Sequence, residues 1–404
     1  NQPVAPRKPW FRGVFSFRQQ FLNFAVPEPS GLFDPAGKTL RLAEVLAEDD
    51  RAFGGLDYLH LFDWGWDPKF GRCGDYAPWD HLGGAERFAG QVKAVQDAGT
   101  PVGLYLEGIL VDPESKLGQA HGKDWQLLSA QGQPYGWFAP SYNLCPHVPE
   151  WQQTLAATYQ RVARETGARG FYVDEYGFAN PDHACYNPAH AHRPGVWPTL
   201  GERAMLTGIR VAIGPDAALY TEESPVDINA PLQDGSFTYA ISSVSDEWSP
   251  THLNLYRFAF PSFKTVEIIV CDQPLGSNQE AVRRIAFGGE GIWLEGTASR
   301  WFSAETRAEI ARYHAVLRRH AACFAGDWPT PLVPTLAGEV HANRFDDRAD
   351  GGGTSCWTLY NTGWRTARGP LLAVEHRAGV VYRDELTGQP IKATVRGNQD
   401  LLTL

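Results

Sequence analysis

The chain has no surplus of positive charge: 46 acidic against 36 basic side chains give 404 residues a formal net charge of −10. Without a basic face there is nothing to neutralise a phosphate backbone, and nucleic acid is not an expected partner. Long apolar runs are missing as well. Pro101–Leu106 and Val266–Val270 fall far short of the roughly 20 residues that span a bilayer, so no membrane segment is expected. Cysteine is sparse: Cys73, Cys145, Cys185, Cys271, Cys323 and Cys356 lie far apart and form no C-x-x-C pair. They read as mostly buried thiols, with one bridge left open.

Several signatures are also absent. Gly54-Gly55, Gly83-Gly84, Gly288-Gly289 and Gly351-Gly352-Gly353 stand in no G-x-G-x-x-G or G-x-x-x-x-G-K-[ST] context, so no nucleotide site and no cofactor are expected. Neither a G-x-S-x-G elbow nor an H-E-x-x-H helix occurs. His183-Ala184-Cys185 and His190-Ala191-His192 match no structural zinc spacing and are expected in an ordinary polar loop, with no metal. A zinc amidohydrolase barrel is disfavoured, since the first strand candidate contains no histidine.

What is present is an ordered, loop-rich scaffold: 41 glycines and 29 prolines without any low-complexity tract. Aromatics exceed what a core alone would ask for, with 14 Trp, 15 Tyr and 21 Phe, and flat faces of this kind suit sugar rings. The chain begins at Asn1 without a charged and then apolar leader pattern, as in a processed protein or a piece of a longer one. Its compartment, secreted, periplasmic or cytoplasmic, stays open, as does its oligomeric state.

Apolar, β-branched or aromatic runs alternate with stretches of helical period, the pattern of parallel strands with crossover helices. Eight strands are expected: Gly13–Phe17, Leu56–Phe62, Val102–Leu106, Gly170–Val173, Ala217–Thr221, Ser236–Ile241, Val266–Val270 and Gly291–Leu294. Helices are expected over Ala85–Ala98, Glu150–Thr166 and Ala304–Phe324. From about Asp327 the text turns to short alternating runs punctuated by Asn361-Thr362-Gly363 and Leu386-Thr387-Gly388. The expected fold is a (β/α)8 TIM barrel over residues 11–326, preceded by an arm or linker over 1–10 and followed by a small antiparallel β-sandwich over 327–404.

Several expected strands close on an acid: Leu104-Tyr105-Leu106-Glu107, Phe171-Tyr172-Val173-Asp174, Leu219-Tyr220-Thr221-Glu222 and Ile292-Trp293-Leu294-Glu295. Looser versions are Ile269-Val270-Cys271-Asp272 and Leu61-Phe62-Asp63-Trp64. Side chains alternate along a strand, so each acid shares a face with the aromatic two residues before it. In a (β/α)8 barrel the C-terminal strand ends surround one mouth, where acids distant in sequence converge. A single strand-end acid reads as a helix cap or a surface ion pair; recurrence is the signal. Carboxyl groups crowded under aromatics divide into protonated and ionised members, which is what glycosidic bond cleavage requires.

Gly170-Phe171-Tyr172-Val173-Asp174-Glu175-Tyr176 resembles the fourth-strand segment of the retaining α-glycosidase superfamily, which includes α-amylases, α-glucosidases and α-galactosidases. The resemblance implies that Asp174 is a nucleophile that forms a glycosyl-enzyme, that Glu222 is the acid/base and that Asp272 is a stabilising acid. In the α-glucosidase and α-galactosidase plans the acid/base follows strand six, where Asp246 is the nearest match. The α-amylase pattern has Arg two residues before the nucleophile, whereas this chain has Tyr172; the resemblance is therefore to the superfamily and not to one family in it.

The alternatives are a β-glycosidase with Glu175 as acid/base, and a non-catalytic carbohydrate-binding barrel. The substrate implied is a glycoside, oligosaccharide or polysaccharide, with Asp63, Trp64, Trp66, Tyr105, Glu107, Tyr172, Tyr176, Tyr220, Asp246, Trp248, Trp293 and Glu295 as candidate binding residues. Trp137 and Trp197 are further stacking candidates. Whether the configuration is retained or inverted depends on a carboxyl separation of about 5 Å or roughly 6.5–9.5 Å.

Overall fold

The structure, a computed structural model, describes residues 8–20, 22, 33–34, 39–65, 74–77, 83–136, 140–175, 184–238, 253–269, 278–295, 302–348 and 353–404. Eight parallel strands close into a barrel: β1 (Ser16–Gln20), β2 (Tyr58–Leu61), β3 (Val102–Glu107), β4 (Gly170–Asp174), β5 (Ala218–Glu222), β6 (Gly235–Thr238), β7 (Lys264–Ile269) and β8 (Gly291–Glu295). Each pairs with its sequence neighbours, and β1 closes the ring by pairing with both β8 and β2. Crossover helices α1 (Leu42–Phe53), α2 (Gly84–Asp97), α3 (Pro149–Thr166), α4 (Thr199–Ile213), α5 (Asn278–Gly288) and α6 (Ala304–Arg319) clothe the ring. They bury one stripe each, for example Phe88, Val92 and Val95 on α2 and Trp151, Leu155, Tyr159 and Val162 on α3. Among the described residues, the crossovers after β5 and β6 carry a 3-10 turn (Ala230–Leu232) and a short helix (Leu255–Ala259).

The barrel interior is aromatic. Tyr58, Tyr105, Tyr172, Tyr220, Trp293 and His60 are all at most 2 % exposed, and their rings meet edge-on or tilted. Rings this large fit only if the inward positions beside them are small. A Cβ at Gly103 or at Gly170 would overlap the Tyr58 hydroxyl, so both strands need glycine there. Below this layer a helical turn, Pro9–Arg12, sets Phe11 edge-on against Phe17 and Tyr58. Lys8 pairs with buried Asp234 at 3.2 Å. The expected N-terminal arm is thus, over its last residues, part of the barrel floor.

The first strand is three residues later than its expected position. The expected run is apolar, whereas the strand carries Arg18-Gln19-Gln20, all buried. Arg18 faces outward and lies 3.5 Å from Asp49 on α1, a partner 31 positions away that local pattern cannot reveal. The other strands fall within two residues of expectation wherever they are described. The long expected helix breaks after Arg319 and resumes over Ala321–Phe324.

Two three-stranded antiparallel sheets follow: β9 (Pro329–Val333), β10 (Val340–Asp346) and β11 (Ser355–Asn361) in one, and β12 (Pro370–Glu375), β14 (Gln399–Thr403) and β13 (Lys392–Arg396) in the other. Ala342 of the first packs with Leu372, Val374 and Leu402 of the second, which makes a small sandwich. It docks on the barrel through Phe345, against Phe324, and through Asn343 and Thr358, which both donate to the Phe287 carbonyl.

Candidate active site

The barrel register sets the site. Tyr105 stands beside Tyr172 and Glu107 beside Asp174 on β3 and β4, and Tyr172 stands beside Tyr220 and Val173 beside Thr221 on β4 and β5. Alternation then puts the acids above the tyrosines. Tyr172 donates to Asp174 Oδ1 at 2.7 Å. The Tyr105 hydroxyl lies 2.5 Å from Asp174 Oδ2 and 2.6 Å from Glu107 Oε1. Both oxygens of Asp174 are therefore engaged from the barrel side by phenol groups. Glu107 is only 1 % exposed, and its backbone N–H donates to the Tyr76 hydroxyl at 2.6 Å.

The chain leaves β4 and β5 through residues in the left-handed region, Glu175 at φ 59° and Glu223 at φ 54°. For a non-glycine residue this conformation costs on the order of 1–3 kcal/mol, and it is held by the surrounding structure. The turn interrupts strand alternation, so Glu175 does not face away from Asp174. One carboxylate oxygen each of Asp174, Glu175 and Glu222 lies within 4.8 Å of the others. All three residues are half-buried. The expected pair and the acid following it in sequence thus meet at one place.

The other expected binding residues divide. Tyr105, Tyr172, Tyr220 and Trp293 are buried in the barrel interior; the first two act on Asp174, while Tyr220 bonds to the Tyr58 hydroxyl at 3.0 Å and His60 Nδ1 at 2.9 Å. Trp64 is a correction: it is fully buried, stacked on Phe88, with its indole N–H donating to the Tyr105 carbonyl at 2.8 Å. It packs the barrel and has no face for a sugar. Asp63 is also buried and accepts from the Leu22 N–H at 2.5 Å. Glu295 ends β8. Asp272, Asp246, Trp66, Tyr176, Trp248 and Trp137 lie outside the described residues. Trp197 is 56 % exposed on the segment before α4.

His60 escaped the sequence reading although it stands two residues after Tyr58 on β2, so period two alone puts it in the interior. Burial holds its imidazole down to about 3, so the ring stays neutral. Burial also pushes the Tyr58 and Tyr220 hydroxyls up. The interior is a neutral hydrogen-bonded layer beneath a charged rim.

Among the described residues, two groups of side chains offer metal-capable donors: the three carboxylates above, and Cys145, Cys185, His190 and His192. The second group brings Cys145, 40 positions upstream, to residues of the expected polar loop that the sequence spacing leaves unconnected. His183 lies outside the described residues.

Residues 36–232 match the family described as "Domain of unknown function (DUF6259)". A Bacteroides thetaiotaomicron protein named "Putative glycoside hydrolase" is 24 % identical over 262 residues, which is 61 % of this chain and 38 % of that protein. Among solved structures, a GH36 alpha-galactosidase of Geobacillus stearothermophilus in complex with raffinose has a TM-score of 0.64 at 13 % identity, covering 99 % of this chain and 57 % of that one. A noncanonic maltogenic alpha-amylase of Thermotoga neapolitana has a TM-score of 0.64 at 11 % identity, covering 98 % and 99 %. The chain thus spans well under two thirds of the Bacteroides relative and of the galactosidase, and what it shares with the two solved structures is the fold: a closed parallel barrel followed by antiparallel sheets.

Proposed function

We propose that the chain is a glycoside hydrolase that cleaves an O-glycosidic bond by a retaining, α-glycosidase-like mechanism, with the barrel as its catalytic domain and residues 327–404 as an accessory β domain. In this reading Asp174 attacks the anomeric carbon and Glu222 protonates the departing oxygen, then takes a proton from water to release the sugar. The observation that carries it is the approach of Asp174 and Glu222 oxygens to within 4.8 Å at the C-terminal ends of neighbouring strands. That closeness favours the short carboxyl spacing of retaining enzymes over the roughly 6.5–9.5 Å that leaves room for an inverting water. The names of the Bacteroides relative and of the solved galactosidase and amylase support the same reaction class.

The two phenol groups under Asp174 give the role physical content. They fix the carboxylate and disperse its charge without protonating it, so its oxygens are oriented before substrate arrives. Crowding of three carboxyls favours a state in which one keeps its proton, as a general acid must. A second reading makes Glu175 the acid/base, and it is favoured by the left-handed turn that brings this side chain into the cluster.

The test is a panel of aryl α- and β-glycosides and oligosaccharides assayed with Asp174→Asn, Glu222→Gln and Glu175→Gln. Loss of turnover in Asp174→Asn and in one of the two glutamate variants, with the first anomer of product matching the substrate by NMR, is the expected result. Binding without hydrolysis across the panel would make the barrel a carbohydrate-binding module instead.

A further inference from the structure

Four side chains that the proposed reaction does not use converge in a tetrad. Cys145 Sγ lies 3.3 Å from His192 Nε2, Cys185 Sγ lies 3.4 Å from His190 Nδ1, and those two ring nitrogens lie 3.2 Å apart. All four ligand atoms fall within 4.8 Å of one another. A tetrahedral zinc ion with Zn–S of about 2.3 Å and Zn–N of about 2.0–2.1 Å requires nitrogen–nitrogen edges of about 3.3 Å and sulfur–nitrogen edges of about 3.5 Å. The three edges match that figure.

The surroundings fit as well. An imidazole that ligates a metal donates its other N–H to a carbonyl or carboxylate, which fixes the tautomer and the ring plane. His190 Nε2 lies 2.9 Å from the Asp124 carbonyl, and His192 Nδ1 lies 3.0 Å from the Arg193 carbonyl. Both rings thus aim their remaining nitrogen into the cluster. Cys145 and Cys185 are 0 % and 1 % exposed. Two thiolates balance the charge of a divalent ion, so the filled site is neutral and its burial carries little desolvation cost.

We propose that Cys145, Cys185, His190 and His192 form a structural zinc site that clips together the two segments leaving the C-terminal ends of β3 and β4. Binding replaces the two thiol protons, which pass to solvent, by two Zn–S bonds. Four protein ligands close the coordination sphere and leave no position for a substrate, so the site is structural and not catalytic. It reinforces contacts already joining the segments: Tyr186 N–H to the Leu128 carbonyl at 2.8 Å, and the Asn187 side-chain amide to the Gln126 carbonyl at 3.0 Å. Those segments flank the strands that carry Glu107 and Asp174.

The experiment uses the full chain, purified under reducing conditions without chelator, and measures metal by mass spectrometry. About one zinc per chain is expected, falling at least tenfold in Cys185→Ser and in His190→Ala and unchanged in Asp174→Asn. Should the cysteine or histidine variants fail to fold, wild-type protein stripped and refilled with cobalt decides: visible d–d bands of tetrahedral intensity, with thiolate charge-transfer absorption, are expected. Reduced protein that takes up neither zinc nor cobalt, zinc that follows Asp174, or a Cys145–Cys185 disulfide found by peptide mapping would each overturn the proposal. None of these readouts depends on whether the barrel hydrolyses glycosides.

Discussion

Tyr172 donates its hydroxyl to Asp174 from two residues back on the same strand, at 2.7 Å. The donor and the acceptor are thus held by one rigid element, and no loop movement is needed to set their geometry.

Removing that hydroxyl tests whether it matters. Tyr172→Phe keeps the ring packed on Phe237 and deletes one hydrogen bond to a charged group, worth about 1.5–3 kcal/mol. Under the proposed mechanism the carboxylate loses its fixed orientation, so kcat should fall by about tenfold or more with KM nearly unchanged, and the melting temperature should drop by what the lost bond contributed. Tyr105→Phe should behave similarly. A normal kcat in both variants would show that the carboxylate needs no phenolic support.

The glycines beneath the aromatic layer make a stability prediction. Gly170→Ala places a methyl group against the Tyr58 hydroxyl, and a buried phenol packed on all sides cannot yield. Overpacking of this kind costs about 1–3 kcal/mol or more, read as a lower midpoint in chemical denaturation. A Gly170→Ala/Tyr58→Phe double variant should recover part of the loss.

His60 gives a prediction with a defined sign. Its folded value of about 3 lies below the ordinary value of about 6.5. Between these the unfolded chain binds a proton that the folded chain refuses, so the stabilisation present above about pH 6.5 is lost as pH falls towards 3. Measured against His60→Phe, wild-type stability should therefore decline on acidification through this window by about 1 kcal/mol per unit. A constant difference between the two proteins from about pH 7 to 4.5 would mean that His60 protonates freely in the fold.

Arg18 and Asp49 are both wholly buried, and burial raises the Asp49 carboxyl to about 6. Taking one member away leaves the other unpaired in the interior: Arg18→Met should cost about 3–5 kcal/mol, and the double Arg18→Met/Asp49→Leu should restore much of it. Equal losses in the single and double variants would contradict this.

The eightfold alternation was legible because parallel strands buried on both faces read as apolar runs, and the acids were legible because each closed such a run. Asp174 and Glu222 are legible as a pair because barrel topology brings strand ends together whatever the loops do. The support beneath them is only half visible in the sequence: period two makes Tyr105 and Tyr172 neighbours of the acids, but which hydroxyl reaches which carboxylate depends on register between strands. Trp64 misled because a tryptophan after a strand looks the same in sequence whether it faces a cleft or a helix. Arg18 and the Cys145 tetrad were illegible for a common reason, that polar residues acquire their meaning from partners far along the chain.

The spacing of Asp174 and Glu222 is inherited from the hydrogen-bonded ladder that joins β4 to β5, whose strands lie about 4.8 Å apart in any sheet. Under the proposed reaction, the gap between the two acids is therefore a property of backbone architecture, whereas the choice of sugar would rest with the excursions above it. Under the proposed reaction, evolution or engineering is free to rewrite those excursions and redirect the protein to new glycosides while the distance between its two working acids stays as it is.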